Sequence, residues 1–371
     1  MRAAATAGDF AYGNTRLRAR KRELFGASQY EALVGRDLES LLEGLVPTVY
    51  RTEIEAELAV AGRRAVEAAL TRHLARELGE LRHFYEGRSR ALVDLLLSRF
   101  DLANLLALIR GLARGRSAEE VLANIVPLGP LGDAAAQEIA RQPELARAVD
   151  LLVSWRLPDP TSARALADAW PEYQRTEDLA ALEHALTAID ARRLDQALQP
   201  GRRDTDSLRE LIAREQDAVN VLLVLRLRFA LQLAELTDLP PSPGEGRFLA
   251  GGTIGEETLE EALRQPTRKE AVAKLAAAAR RKDWQAPLQR IAGGGDLPTL
   301  QRELEASRVR WAVGLFFRGD PLSMDVPIAF AVAKNNEVRN LRLLAESASG
   351  GVSPAVIRAR LIVPWDDRWD G

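Results

Sequence analysis

The stretch Asp101-Leu-Ala-Asn104-Leu-Leu-Ala-Leu-Ile-Arg110 returns later in the chain as Asp217-Ala-Val-Asn220-Val-Leu-Leu-Val-Leu-Arg226. A looser third copy reads Glu337-Val-Arg-Asn340-Leu-Arg342-Leu-Leu. Each copy puts an acid three residues before an asparagine inside an otherwise apolar run. Each leads to a second short amphipathic segment: Ser117-Ala-Glu-Glu120-Val-Leu, Ile254-Gly-Glu-Glu-Thr-Leu-Glu-Glu-Ala-Leu and Ser353-Pro354-Ala-Val-Ile-Arg-Ala-Arg-Leu. A motif recurring three times at nearly equal spacing is the signature of an internally repeated architecture. The helices around Asn104 and Asn220 are apolar on nearly every face and should be buried, and Asp101 and Asp217 fall in their first part, where a carboxylate suits the helix dipole. Ser117 with Glu120 forms a capping box, and Ser353 before Pro354 is a cap followed by proline at the first helical position.

Outward from these copies the period stays helical. Between Glu53 and Leu81, apolar Ile54, Leu58, Ala61, Ala65, Ala69, Leu74, Leu78 and Leu81 recur at steps of mostly three and four. This predicts one amphipathic helix of about seven turns. Alanine, leucine, arginine and glutamate dominate the whole chain, and no stretch alternates apolar and polar residues with β-branched enrichment. The sequence predicts an all-α protein. Prolines punctuate the helices, and Thr237–Gly252, rich in proline and glycine, reads as a long loop. Pro364–Gly371, carrying Asp366, Asp367 and Asp370, reads as a free acidic tail.

Composition narrows the function classes. The 371 residues hold 51 basic and 53 acidic side chains, a net charge of −2. Such a balance does not suit a general nucleic-acid or anionic-membrane binder. Without cysteine there is no disulfide, thiolate metal site or cysteine nucleophile. The longest apolar run, Val326–Ala333, is eight residues, against the roughly 20 that a membrane span needs. Residues 1–10 lack a secretory pattern, which predicts a cytosolic protein or one docked on a membrane complex from that side. With 47% hydrophobic residues, the chain has enough apolar material for a sizeable core.

The sequence carries no recognisable catalytic constellation. No phosphate-cradling loop, HExxH or G-x-S-x-G is present, and His73, His83 and His184 have no metal-site spacing. The carboxylate pairs Glu119-Glu120 and Glu256-Glu257 fall at helix starts, where the helix dipole explains them. A cofactor is not expected.

Two features leave alternatives open. Asn104, Asn220 and Asn340 either tie their helices to a neighbouring backbone or contact a partner, since a buried amide without a partner costs about 1–3 kcal/mol. The basic run Arg16–Arg22 is either a solvated face, a contact for an acidic protein, or a patch for nucleic acid or lipid headgroups.

At this point the residues resemble a family. Tyr12-Gly-Asn14-Thr-Arg16-Leu-Arg18-Ala19, Leu45-Val-Pro-Thr-Val-Tyr50, Phe100-Asp101-Leu-Ala-Asn104 and Lys334-Asn-Asn-Glu337-Val-Arg-Asn340-Leu-Arg342 are similar to segments of the C subunit of archaeal- and bacterial-type V/A-ATPases. That protein is a relative of the d subunit of eukaryotic V-ATPases. The resemblance runs from about Phe10 to Leu361, with a diverged middle at 132–200. It implies three homologous helical repeats about a pseudo-threefold axis, funnel-shaped, with boundaries near 1–130, 131–266 and 267–364 and a tail from 365 to 371. It further implies a non-catalytic central-stalk (rotor) protein that couples the stalk of the soluble head to the membrane rotor ring and transmits torque. The location implied is cytoplasmic, peripheral to the membrane through the ring, with no nucleic-acid partner.

From this follow the expected roles. Asp101, Asn104, Arg110, Asp217, Asn220, Arg226, Glu337, Asn340 and Arg342 are the repeat core. The glycine-bearing loops with Gly115, Arg116, Gly251, Gly252, Gly350 and Gly351, at equivalent places in three repeats, are candidates for gripping the stalk. Tyr12, Asn14, Arg16 and Arg18 form a candidate contact with a neighbouring subunit. The alternative is a stand-alone helical-repeat scaffold for cytosolic partners, although the period near 118 residues argues against the short repeats of such scaffolds. An enzyme with an unrecognised helical site is the third and weakest reading.

Overall fold

The computed structural model describes residues 7–57, 62–198, 203–233, 247–350 and 352–365. Among them the regular structure is helical, and no strand is present. In chain order the helices are α1 (Ala7–Arg20), α2 (Ala27–Leu33), α3 (Leu38–Leu45), α4 (Arg51–Glu57), α5 (Arg63–Leu81) and α6 (Gly87–Ala113). Then come α7 (Ala118–Leu122), α8 (Asp133–Ala140), α9 (Leu145–Ser154), α10 (Pro160–Thr176), α11 (Leu179–Ala197) and α12 (Asp206–Leu233). The last are α13 (Glu256–Leu263), α14 (Arg268–Ala278), α15 (Lys282–Ala292), α16 (Leu297–Arg318), α17 (Asp325–Gly350) and α18 (Pro354–Arg360).

The helix expected over 53–81 is broken into α4 and α5. Gly62, with φ +119°, precedes α5 in a backbone region that side-chain-bearing residues rarely occupy. Residues 58–61 lie outside the described set, as do most of the expected loop at 237–252 and the tail beyond 365. The predicted caps are present. Ser117 accepts the amide of Glu120, whose carboxylate accepts that of Ser117 in return, and Ser353 caps α18 ahead of Pro354.

The chain folds as two compact units, residues 1–186 with 312–371, and residues 187–311. In the first, α17 packs along α5 and is buried on nearly every side from Asp325 to Leu341. A separate apolar cluster in that unit joins Leu105, Leu108 and Ile109 of α6 to Ile139, Leu152 and Leu166. In the second unit, Val221, Val224 and Leu225 of α12 pack against Leu259, Leu275, Trp284, Leu288 and Leu304. The apolar runs around the three asparagines are thus the cores onto which shorter helices fold.

Candidate functional site

Asn104, Asn220 and Asn340 are each 1% exposed and carry out the same act. The amide of Asn104 donates to the carbonyl of Val126 at 2.7 Å, and its Oδ1 accepts the N–H of the same residue at 2.9 Å. Asn220 binds both backbone groups of Leu249, at 3.0 and 2.8 Å. Asn340 binds both of Ile362, at 2.8 and 3.2 Å. A side-chain amide is a copy of a peptide group, so it pairs with one residue's N–H and C=O as a neighbouring strand would. Each clasped residue is buried in a non-helical segment and its N–H is held by the asparagine, while the carbonyls of Val126 and Ile362 accept a second donor, the N–H of Leu128 and the amide of Asn336.

One turn earlier on the same face sits the acid. Asp217, fully buried, accepts the amides of Thr253 and Ile254 at 3.0 Å each and the Thr253 hydroxyl at 2.7 Å, and it pairs with the buried Arg281 guanidinium. Gly252 lies so close over this carboxylate that a Cβ there would stand 2.4 Å from Oδ1. The same relation holds at Asp101: a Cβ on Gly129 would fall 2.1 Å from both carboxylate oxygens. In both copies the glycine is three residues past the clasped one. The acid and the glycine therefore form a close-approach pair that only a residue without a side chain permits.

The third copy diverges. Glu337 accepts the amide of Phe25 at 2.6 Å, the Tyr50 hydroxyl at 2.6 Å and the Lys334 ammonium at 2.8 Å. Its counterpart to the glycine is Trp365, whose indole donates to the carbonyl of Phe25 at 3.1 Å. The acid of this copy thus holds the N-terminal part of the chain instead of the segment that follows it.

The three arginines do not share a role. Arg110 forms a two-pronged pair with Glu183, Arg226 reaches Gln301, and Arg342 donates to the Thr71 hydroxyl in a largely dry setting that lowers its pKa. The glycine loops are not equivalent either. Gly115, with φ +62°, ends α6 and comes before its clasped residue, whereas Gly251, with φ +86°, and Gly252 come after theirs. In the register set by the asparagines, Gly252 corresponds to Gly129 and not to Gly115. Gly350, like Gly115, closes its long helix, and Gly351 lies outside the described residues. The separation from asparagine to clasped residue is 22, 29 and 22 residues.

Tyr12, Asn14, Arg16 and Arg18 sit on α1. Asn14 is buried; its amide donates to the carbonyls of Pro321 and Ser323, both at 2.9 Å, and it accepts the Tyr85 hydroxyl at 2.7 Å. Gly13 lets the helix rest against the Tyr85 ring. Arg16 donates to the Tyr12 hydroxyl and lies 4.9 Å over the Phe84 ring, and Arg18 is exposed.

Sequence reasoning missed the charge network around Glu337. Tyr50 stacks on His73 with ring centroids 4.0 Å apart, and Lys334 lies 5.0 Å over the Tyr50 ring. Burial, followed by the nearby Lys334, Arg76 and Arg20 charges, lowers the His73 pKa to about 2, so the ring is neutral. The signal available was the segment Lys334–Asn340, but its partners come from residues hundreds of positions away. Also missed was a cleft of about 920 Å³ in the first unit, lined among others by Arg63, Arg64, Arg72, Arg110, Arg114 and Arg116. Among the described residues, no group of three or more His, Cys, Asp or Glu is placed to hold a metal, and no helix is long and apolar enough to cross a membrane.

This chain belongs to the ATP synthase (C/AC39) subunit family, which matches residues 13–360. It is 28% identical over 356 residues to the C subunit of the A-type ATP synthase of Haloferax volcanii, covering 95% of this chain and 97% of that one. It is 31% identical over 362 residues to the C subunit of the V-type ATP synthase of Thermus thermophilus, covering 96% and 100%. The corresponding V-type protein of Deinococcus radiodurans is 27% identical over 310 residues, covering 81% and 86%. The chain is thus a non-catalytic subunit of a V/A-type ATP synthase.

Proposed function

We propose that the chain is the central-stalk coupler of its complex, joining the stalk of the soluble head to the membrane rotor ring and passing torque between them. The observation that carries this is the clasp repeated at Asn104, Asn220 and Asn340. A coupler has to resist twist, and each clasp fixes a non-helical segment to a long buried helix at a single register. In this proposal the clasps head three homologous helical repeats, near 1–130, 131–266 and 267–364, about a pseudo-threefold axis. The chain is then peripheral to the membrane on its cytoplasmic side.

The stalk side is assigned to the loops carrying Gly115, Arg116, Gly251, Gly252, Gly350 and Gly351. Arg114 and Arg116 border the cleft, where arginines outnumber Glu67, Glu119, Glu120 and Asp133, an excess that suits an acidic stalk segment. The contact with a neighbouring subunit at α1 is assigned to Tyr12, Arg16 and Arg18, with Asn14 fixing the helix beneath them. An affinity pull-down of tagged protein from detergent-solubilised membranes, with partners identified by mass spectrometry, tests the proposal. Recovery of a small, very hydrophobic ring protein together with a coiled-coil stalk protein is expected. Recovery of soluble partners alone would overturn it in favour of a free-standing scaffold.

A further inference from the structure

Six large apolar side chains stand exposed among the described residues, and three of them lie around α1: Tyr12 at 62%, Phe317 at 60% and Leu322 at 41%. Tyr12 stands on α1 itself, and Phe317 and Leu322 come from a distant part of the sequence. On one flank Tyr12 packs edge-on to Phe84, with Arg16 over both rings. On the other, Asn14 binds the carbonyls either side of Leu322, and Lys21 lies 4.6 Å over the Phe317 ring.

The outward line of α1 between these flanks is Ala11, Thr15 and Ala19, all exposed and spaced one turn apart. The Thr15 hydroxyl donates to the carbonyl of Ala11 at 2.8 Å, so its hydrogen-bonding capacity is turned onto its own helix. A line of small residues beside exposed apolar side chains is a seat for a helix, since small residues allow axes to approach within about 8–10 Å.

The rim is basic. Arg16, Arg18, Arg22 and Arg318 are exposed around it, with Lys21 partly so, against Asp9, Glu23 and Asp320. Arg18 and Arg22, after burial, hold the Lys21 pKa below its ordinary value, which shows like charges crowded together.

We infer that this face seats a helix of another subunit of the complex, one that presents small or apolar residues to Ala11, Thr15 and Ala19 and carboxylates to the surrounding arginines. The inference rests on the proposal that the chain works inside an ATP synthase. A helix suits the face better than a lipid surface, because three acids interrupt the basic rim where headgroup binding calls for an unbroken cluster of about 4–8 cations.

The test places a benzophenone amino acid at Tyr12 or Phe317 in the chain expressed in its own complex, with Trp155 and Val356 as comparison sites. The expected result is a peptide adduct from both positions 12 and 317 to one acidic segment of a co-purified subunit, which positions 155 and 356 do not reach. Adducts to lipid alone, or none from 12 and 317 while the complex co-purifies intact, overturn the inference and leave the coupler proposal standing. Failure of the unmodified chain to co-purify with any ATP synthase subunit overturns both. The triple substitution Arg16→Glu, Arg18→Glu, Arg22→Glu is expected to reduce recovery of that subunit at least about tenfold at low salt, with helicity by circular dichroism unchanged. Undiminished recovery also overturns the inference.

Discussion

Replacing the clasp asparagines by alanine should not cost the same at all three sites. In Asn220→Ala, both the N–H and the C=O of buried Leu249 lose their partner, whereas in Asn104→Ala the Val126 carbonyl keeps the N–H of Leu128 at 2.9 Å. An unsatisfied buried polar group costs about 1–3 kcal/mol, so the pair predicts a loss of roughly 2–5 kcal/mol. In Asn340→Ala only the N–H of Ile362 is stranded, because its carbonyl also accepts from Asn336 at 2.8 Å. The expected cost is then about half, roughly 1–3 kcal/mol. Adding Asn336→Ala should restore the larger penalty. Urea unfolding at constant m reports the difference, and amide hydrogen exchange at Leu249 and Ile362 localises it. In both single variants the clasped amide should exchange faster. Equal costs for Asn220→Ala and Asn340→Ala, or a cost under about 1 kcal/mol for the former, would refute the claim that these side chains serve as backbone partners.

Other outcomes follow from the same structure. Gly129→Ala and Gly252→Ala push a methyl against Asp101 and Asp217 and should each lower stability by about 1–3 kcal/mol, whereas Gly350→Ala, with nothing within 4 Å, should stay within about 0.5 kcal/mol; thermal melts distinguish them. Glu337→Gln strips the buried Lys334 of its anion and should cost about 3–5 kcal/mol, much of it recovered when Lys334→Met is added. The native His73 ring takes up a proton only near pH 2, but in the unfolded chain it does so near pH 6.5. Its contribution to stability is therefore complete above pH 6.5 and declines as pH falls toward 2, by about 1.4 kcal/mol per unit below the unfolded pKa. His73→Gln should flatten the stability profile between pH 7 and 5 by that slope, and an unchanged slope in urea titrations would contradict the neutral assignment.

The helical class and the three asparagines were legible because both depend on local period and on spacing within one helix. What each asparagine binds was legible only as a kind of group, a neighbouring backbone. The choice of Val126, Leu249 or Ile362 is settled by how the intervening segment folds back. Spacing alone does not report that the second copy carries seven more residues than the first between asparagine and clasped residue. The Glu53–Leu81 period concealed a break at Gly62, because a helix can stop and restart without disturbing the apolar stripe. The network of Lys334, Glu337, Tyr50 and His73, and the face made by Tyr12, Phe317 and Leu322, join residues far apart in sequence, which no periodicity can report.

Because each asparagine grips only main-chain atoms, it does not care what side chain the gripped residue bears: valine, leucine and isoleucine occupy the three places. The joint therefore separates two kinds of inheritance. Within this chain the asparagine recurs in all three places, while the gripped residue changes among buried aliphatics and its separation from the asparagine runs from 22 to 29 residues. A fold fastened in this way can keep its frame through descent while the residues hung on that frame are largely replaced.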